Sequence, residues 1–357
     1  VRYTMKLTTL CYIEKDEKYL MIHRIKKKHD VNKDKWIGIG GKFERGESPE
    51  DCILRETKEE TGLTLTDYRL RGVLTFVYND DDEEMEYIFL YTADGFAGEL
   101  AECNEGTLEW VPKTQIDRLN LWEGDRIFHY LLDEDAPFFS LKLRYQDDLL
   151  KEAVLDGKPL ELLDLLREDG EPSGQVRWRT LVHLHGDWHR TSHVWVVRKR
   201  ADGGHDMLLQ KRSGEKDSFA GCYDISSAGH IPAGQDYLES ALRELKEELG
   251  ITAKPEELRL VGVHDGRYEG EFGGQIFKNH EKSHVFVYEK PVEIEELKLQ
   301  KEEVESVKWM KIEDVLAAVK AHDPGYCLFE DEIEMLCGVL KLSLIHISEP
   351  TRPEPIS

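Results

Sequence analysis

Hydrophobic and polar residues alternate over residues 5–13 (MKLTTLCYI) and again over 18–24 (KYLMIHR), with a charged turn, Glu14 to Glu17, between them. This period-two pattern predicts two strands joined by a hairpin. A glycine turn follows at Gly38, Gly40 and Gly41, and then a helix. Ser48 and Pro49 supply its N-cap and first-turn proline, and Gly62 its stop. Strands are predicted over 68–78, 86–93 and 106–111, a helix over 123–132, and one more strand over 138–145. Residues 160–168 are predicted as a helix leading out, followed by a turn at Glu171 to Gly174. The theme then returns. Strands are predicted over 192–198, 206–212, 257–266, 283–289 and 304–310, with closing helices at 312–321 and 328–341. This mixed order predicts an α/β fold with helices packed on a sheet.

A 23-residue pattern occurs twice, 188 positions apart (229 minus 41). The first copy runs from Gly41 through Glu47, Arg55, Glu56, Glu59, Glu60 and Gly62 to Leu63. The second runs from Gly229 through Gln235, Arg243, Glu244, Glu247, Glu248 and Gly250 to Ile251. Positions i, i+3 and i+4 share one helix face, so each copy gathers three carboxylates there. Like charges so placed repel by a few tenths of a kcal/mol per pair. Such a cluster calls for a cation, and all-oxygen ligands suit Mg²⁺ or Mn²⁺.

Both copies closely resemble the Nudix box. The resemblance implies two Nudix α/β/α sandwich domains in tandem, expected at residues 1–157 and 158–342. The last segment, 343–357, has no periodicity and reads as a non-native tail, and Met5 as a plausible start.

Composition narrows the function. A chain of 357 residues suggests about two domains on length alone. The 48 basic and 72 acidic residues give a net charge of −24, which argues against coating a nucleic acid. An acidic protein that handles phosphates needs metal ions to carry positive charge locally. Six scattered cysteines without C-x-x-C indicate neither a zinc knuckle nor a disulfide framework. With no apolar run near the ~20 residues of a membrane span, and no signal peptide visible, a cytoplasmic protein acting on small molecules is expected.

In the first copy, the resemblance makes Glu56, Glu59 and Glu60 metal ligands, with one of them a candidate general base. Arg55 pairs with Glu47 to hold the loop, and Gly40, Gly41 and Lys42 lie against phosphate. Beyond the box, Lys35 to Lys42 (KWIGIGGK), Asn104 to Trp110 (NEGTLEW) and Leu121 to Asp125 (LWEGD) resemble the MutT-type group that hydrolyses oxidised purine nucleoside triphosphates such as 8-oxo-dGTP. That likeness adds Glu105 to the metal site and makes Trp122 and Asp125 a base pocket, or Trp122 a core residue. An indole stacks on a purine and a carboxylate accepts from its N–H groups. Ile37 and Gly124 depart from the group's pattern, standing where relatives carry an asparagine and a second acidic residue.

The second copy has Gln235 in place of the loop glutamate, an amide still able to bond to Arg243. Gly186 to His193 (GDWHRTSH), Asp224 to His230 (DISSAGH) and His280-Glu281 resemble the isopentenyl diphosphate isomerase-like branch of the family. By that likeness His193, His230 and Glu281 join Glu244, Glu247 and Glu248 around a metal. The isomerase's acid cysteine is Ala228 here and its other glutamate is Asn279, so hydrolysis of an organic diphosphate is expected over isomerisation. A weakly catalytic ligand-sensing module is the alternative for this half. Arg24, Lys211 and Arg212, at strand ends, either face an anionic diphosphate or are ordinary surface charges, as do His189 and His193 between ligation and buried hydrogen bonding.

Overall fold

The computed structural model describes residues 5–26, 30–79, 85–216 and 218–341. The segments at 1–4 and 343–357 lie outside them. The chain divides into two compact units, Val1–Leu162 with Val176–Trp178, and Leu163–Gln175 with Arg179–Ser357.

In unit one the strands are β1 (Lys6–Lys15), β2 (Lys18–His23), β3 (Trp36–Ile37), β4 (Thr64–Tyr78), β5 (Glu86–Ala97), β6 (Thr107–Pro112), β7 (Phe139–Gln146), β8 (Leu149–Leu155) and β9 (Lys158–Pro159). Its helices are α1 (Pro49–Thr61) and α2 (Glu123–Asp133). The sheet runs β3-β2-β1-β5-β4-β7-β8-β9, with β6 on β2. Strand β7 buries alternate residues and pairs in parallel with β4. Cys11, Ile13, Leu20 and Ile22 from the sheet pack with Ile39 and with Ile53 of α1.

Unit two holds most of β10 (Leu162–Leu166) and β11 (Pro172–Trp178), whose Leu162 and Val176–Trp178 fall in unit one, with β12 (Trp188–Lys199), β13 (His205–Arg212), β14 (Tyr223–Asp224), β15 (Ser227–His230), β16 (Leu258–Phe272), β17 (Gln275–Tyr288) and β18 (Val304–Lys311). Its helices are α3 (Arg179–His185), α4 (Tyr237–Leu249), α5 (Ile312–Lys320) and α6 (Glu330–Val339). Strand alternation on β12 and β13 builds the layers. Val194, Val196 and Leu208 join Ala241, Leu245 and Leu249 of α4. Trp195, Val197, Met207 and Leu209 join Val315 of α5 and Ile333 and Leu336 of α6. The sheet is thus covered on both faces, the α/β/α arrangement expected.

Some expectations fail. The turn expected at Glu171 to Gly174 is largely strand, since β11 takes in Pro172, Ser173 and Gly174. Residues 160–168 are not a helix; Leu162–Leu166 is strand β10, with Leu162, Leu163, Leu165 and Leu166 all buried. A short apolar run does not tell a fully buried strand from a helix by periodicity. Helix α3 was not expected at all.

A buried histidine gives unit one a pH signature. His129 on α2 is 4% exposed, sits 4.4 Å from the Tyr12 ring, and neither ring nitrogen has a partner among the described residues. Burial lowers its pKa from 6.5 to about 3. Below pH 6.5 the unfolded chain takes up a proton that the folded ring refuses, so stability is lost as pH falls through this window. His129→Phe should flatten the dependence of urea unfolding between pH 6.5 and 5, by about 1.4 kcal/mol per unit. Equal slopes in wild type and variant would refute the assignment.

Candidate active sites: two glutamate helices beneath glycine turns

Helix α1 starts at Ser48, whose hydroxyl accepts from the Asp51 N–H (3.1 Å) while the Asp51 carboxylate accepts from the Ser48 N–H (3.0 Å). It ends at Gly62, left-handed at φ 76°. Both caps are local, so the sequence itself marks the ends of the helix and hence its glutamate face.

The face meets the glycine turn. Gly40 donates its N–H to Glu60 (3.0 Å), and a Cβ on Gly41 would lie 2.4 Å from the Glu56 carboxyl carbon. A side chain at 41 would displace the Glu56 carboxylate, and at Gly40 a Cβ would lie 2.1 Å from the Thr9 carbonyl oxygen, so glycine is required there. Glu60 is 7% exposed, and burial, helped by the charges of Glu105 and Glu56, pushes its pKa up to about 8. Burial also raises Glu56, with Glu59 and Glu105 adding to it and Arg55 opposing. Glu59 is exposed. Glu105 is ion-paired with Arg24, which also donates to Asp30 (2.8 Å). Arg24 therefore works on a candidate ligand, not as an open phosphate contact.

Arg55 holds the loop as expected. Its Nε and Nη2 donate to the two oxygens of Glu47 (2.6 and 2.9 Å), Nη1 to Glu56 (2.8 Å) and Glu59 (3.2 Å), and Nη2 also to the Lys42 carbonyl (3.0 Å). The first of these bonds holds Glu47 near a pKa of about 2. The Lys42 side chain is exposed.

The expected base pocket is more closed than the resemblance implies. Trp122 is 4% exposed, its indole N–H donates to Asn32 (2.7 Å), and Tyr145 and Phe76 lie at 4.9 and 5.6 Å from its ring. The Lys35 ammonium stands 4.3 Å from the ring centroid. Asp125 is 8% exposed, and burial pushes its pKa up to about 7, against the opposing charge of Lys35. Gly124 explains its own departure from pattern. A Cβ there would lie 2.4 Å from Leu143 and 2.6 Å from the Tyr145 hydroxyl, so no acidic side chain fits.

In unit two, Asp236 caps α4 through the Leu238 N–H (2.8 Å) and Gly250 closes it at φ 76°. A Cβ on Gly229 would lie 2.5 Å from the Glu244 carboxyl carbon, repeating the Gly41 geometry. Glu248 is 5% exposed and accepts from the Ala228 N–H (3.3 Å). Burial, with the charges of Glu244 and Asp224, raises its pKa to about 8. Glu247 is exposed, like Glu59.

The loop arginine differs. Arg243 reaches Glu244 (2.8 Å) and Glu247 (3.2 Å) through Nη1, but its buried Nε and Nη2 have no partner among the described residues. Gln235 does not take them, contrary to expectation; its side-chain oxygen instead accepts from the Ser240 hydroxyl (3.4 Å). Lys211 turns away to Glu305 (2.8 Å), whereas Arg212 pairs with Asp224 (2.8 Å) and lies close enough to Glu248 for their charges to interact. Lys216 interacts with Glu248 likewise, a cation the sequence reading missed.

The histidines rearrange the expected ligand set. His183 on α3, His189 on β12 and His230 on β15 bring ring nitrogens within 4.8 Å of one another. Their Nε2 atoms at 183 and 230 stand 3.2 Å apart. Burial holds His183 down at about 3 and lowers His189 and His230, so all three are neutral. His189 Nδ1 lies 3.0 Å from the Asp187 carbonyl, which can only accept, so Nδ1 carries the proton. That leaves the Nε2 lone pair of His189 buried and unpartnered, the tautomer a metal requires. His193 is not in this cluster. Burial alone would lower its pKa, but Glu332 and then Glu281 raise it to about 9. Glu281 is 6% exposed, faces His189 across the β12–β17 pairing, and accepts from Asn279 (3.0 Å). The oxygen-rich faces of α1 and α4 fit a hard divalent cation, and the neutral histidines fit a softer one.

A family model described as NUDIX domain matches residues 5–132 and 189–329. Nudix hydrolase 3 of Arabidopsis thaliana is 37% identical over 179 residues, covering 48% of this chain but only 22% of that protein. An uncharacterised Nudix hydrolase of Clostridium acetobutylicum is 39% identical over 155 residues, covering 43% of this chain and 72% of the relative. The oxidized purine nucleoside triphosphate hydrolase of Danio rerio is 29% identical over 154 residues, covering 43% of this chain and 96% of the relative.

Restoring the missing loop charge should repair unit two. Gln235→Glu gives Arg243 a two-oxygen acceptor, and full-chain thermal unfolding should show a gain of about 1 kcal/mol in stability. An unchanged unfolding midpoint would mean that the two donors are not a liability.

Proposed function

We propose that this chain, which belongs to the Nudix family of hydrolases, cleaves diphosphate bonds of small molecules at two metal-dependent sites, the first acting on oxidised purine nucleoside triphosphates. The observation that carries this reading is the convergence of Glu56, Glu60 and Glu105, where Glu105 raises the pKa of both others and Glu56 that of Glu60, beneath a turn with no room for a Cβ at Gly40. Carboxylates massed out of water have a cation as their natural partner. The name of the Danio rerio relative supports the choice of substrate.

In the first site Glu56, Glu59, Glu60 and Glu105 would hold Mg²⁺ or Mn²⁺. The cation supplies positive charge to the phosphate oxygens and lowers the pKa of a bound water. The chain's residues do the rest. Gly40 and Gly41 clear the approach of phosphate to the backbone. One glutamate of α1 takes the water proton as the water oxygen attacks phosphorus and the bridging P–O bond breaks, leaving a nucleoside monophosphate and pyrophosphate. Asp125, its carboxyl buried beside Lys35, accepts from purine N–H groups, with Trp122 forming a wall behind.

The second site cleaves an organic diphosphate. Glu244, Glu247 and Glu248 repeat the first ligand face, Arg212 and Lys216 supply positive charge beside Glu248, and His183, His189 and His230 with Glu281 would hold a second, nitrogen-preferring divalent ion. This set differs from the expected one, with His183 and His189 in place of His193. A ligand-sensing role for this half is the competing reading, favoured by the unpaired donors of Arg243.

Glu59→Gln in the full chain should lower 8-oxo-dGTP hydrolysis at least about 100-fold, because one ligand charge is lost at an exposed position where folding is little affected. Hydrolysis at the wild-type rate would sink the first-site assignment. Asp125→Ala should reduce the preference for 8-oxo-dGTP over dGTP, read as the ratio of kcat/KM values; an unaltered ratio would remove Asp125 from the base pocket. With the first site silenced by Glu59→Gln, a diphosphate screen should still release phosphate through the second, and calorimetric binding without turnover would favour sensing instead.

A further inference from the structure

We propose that Glu332 is a positioning residue of the second site, holding His193 so that His193 in turn fixes Glu281 beside the His183–His189–His230 cluster. The inference rests on the reading of that cluster as a metal site. It begins with a carboxylate that the box does not contain. Glu332 lies on α6 and is 1% exposed. Its oxygens stand 2.9 and 3.1 Å from His193 Nδ1, accept from the indole N–H of Trp195 (2.7 Å), and lie 3.4 Å from His264 Nδ1.

The other face of His193 turns to the site. Its Nε2 is 3.6 Å from the Glu281 carboxylate, a contact and not a hydrogen bond. Nδ1 lies at hydrogen-bond distance from Glu332, which can only accept, so Nδ1 donates, and the plane of the ring is set from the α6 side. The far edge of the ring stands against Glu281, so His193 acts as a clamp on that carboxylate. The remaining oxygen of Glu281 accepts from Asn279 (3.0 Å). Behind Glu281, a Cβ on Gly266 would lie 2.8 Å from its side chain, so β16 leaves the space that the carboxylate fills. The β12–β17 register places Glu281 opposite His189, the ring with the unpartnered Nε2.

The chain of contacts transmits the effect. Glu281 and Glu332 are both buried, and the His193 ring is packed between them. Weaken the Glu332 acceptor and the ring is free to turn, so Glu281 loses the edge it rests against. Supporting residues of this kind typically change metal affinity 10–100-fold without touching the ion.

The test uses the full chain carrying Glu59→Gln and Co²⁺ as the probe, with visible absorption and thermal unfolding read together. The parent should bind Co²⁺ with a spectrum that His189→Ala abolishes. Glu332→Gln should weaken binding about 10-fold or more and alter the spectrum, and Glu332→Asp should recover part of the affinity. His193→Gln should weaken binding similarly, which keeps the test open if Glu332→Gln does not fold. Trp195→Phe serves as the control, since it removes a donor to Glu332 while leaving the clamp; it should cost stability and leave affinity unchanged. Unchanged affinity and spectrum in folded Glu332→Gln or His193→Gln would overturn the positioning role alone. A parent with no His189-dependent Co²⁺ spectrum would overturn the metal reading, and the positioning role with it.

Discussion

Each domain keeps one glutamate almost out of water under a glycine turn, with a second carboxylate filling the space where the turn would carry a side chain. Glu60 and Glu56 do this in the first, Glu248 and Glu244 in the second. Such groups are expensive to bury as anions, and their raised pKa values express that cost. A single backbone N–H from Gly40 or Ala228 offsets little of it. The rest of each unit is arranged to hold the cluster in place regardless. Caps at both ends fix the helix, its apolar side anchors in the sheet, and the loop arginine ties helix to turn. A divalent cation would remove that conflict, and the glutamate face is common to both copies.

What has changed lies around that face. Arg55 spreads three donors over Glu47, Glu56 and Glu59, whereas Arg243 has lost the loop anchor and keeps only its contacts along the helix. Unit two compensates in a different currency of contacts. The cations Arg212 and Lys216 approach Glu248, and three imidazoles gather at His183, His189 and His230. The two copies are therefore divergent modules that share a glutamate helix, not one site repeated.

The parts legible in the sequence are those whose geometry is local. Ser48, Pro49 and Gly62 mark α1 within two residues, and the i, i+3, i+4 spacing delivers its carboxylates to one face. The Arg55–Glu47 pair follows from the same short segment. Convergence across strands was not legible. His193 and His189 both sit on β12, and only register decides which meets His230; the antiparallel pairing sets Thr191 opposite His230, and His189 is the one that turns to it. His183 was hidden further, on a seven-residue helix with no capping signal. Glu332 lies 139 residues from its partner His193, beyond any motif. At 160–168 the apolar run is buried on both sides of a strand, where periodicity carries no information.

The donor atoms argue for a division of labour between the faces of unit two. Carboxylate oxygens bind hard ions, which magnesium supplies, but they discriminate poorly among divalent metals. Neutral imidazoles add selectivity for softer ions, provided protons do not compete for them. Burial supplies that condition here, because His183, His189 and His230 all resist protonation, and Asp187 fixes the tautomer of His189. His193 lies only four residues along the same strand and has the opposite fate, because Glu332 and Glu281 flank it. Two histidines on one strand thus differ through their surroundings, burial and the Asp187 carbonyl for His189 and two carboxylates for His193, so the second depends on where α6 places Glu332.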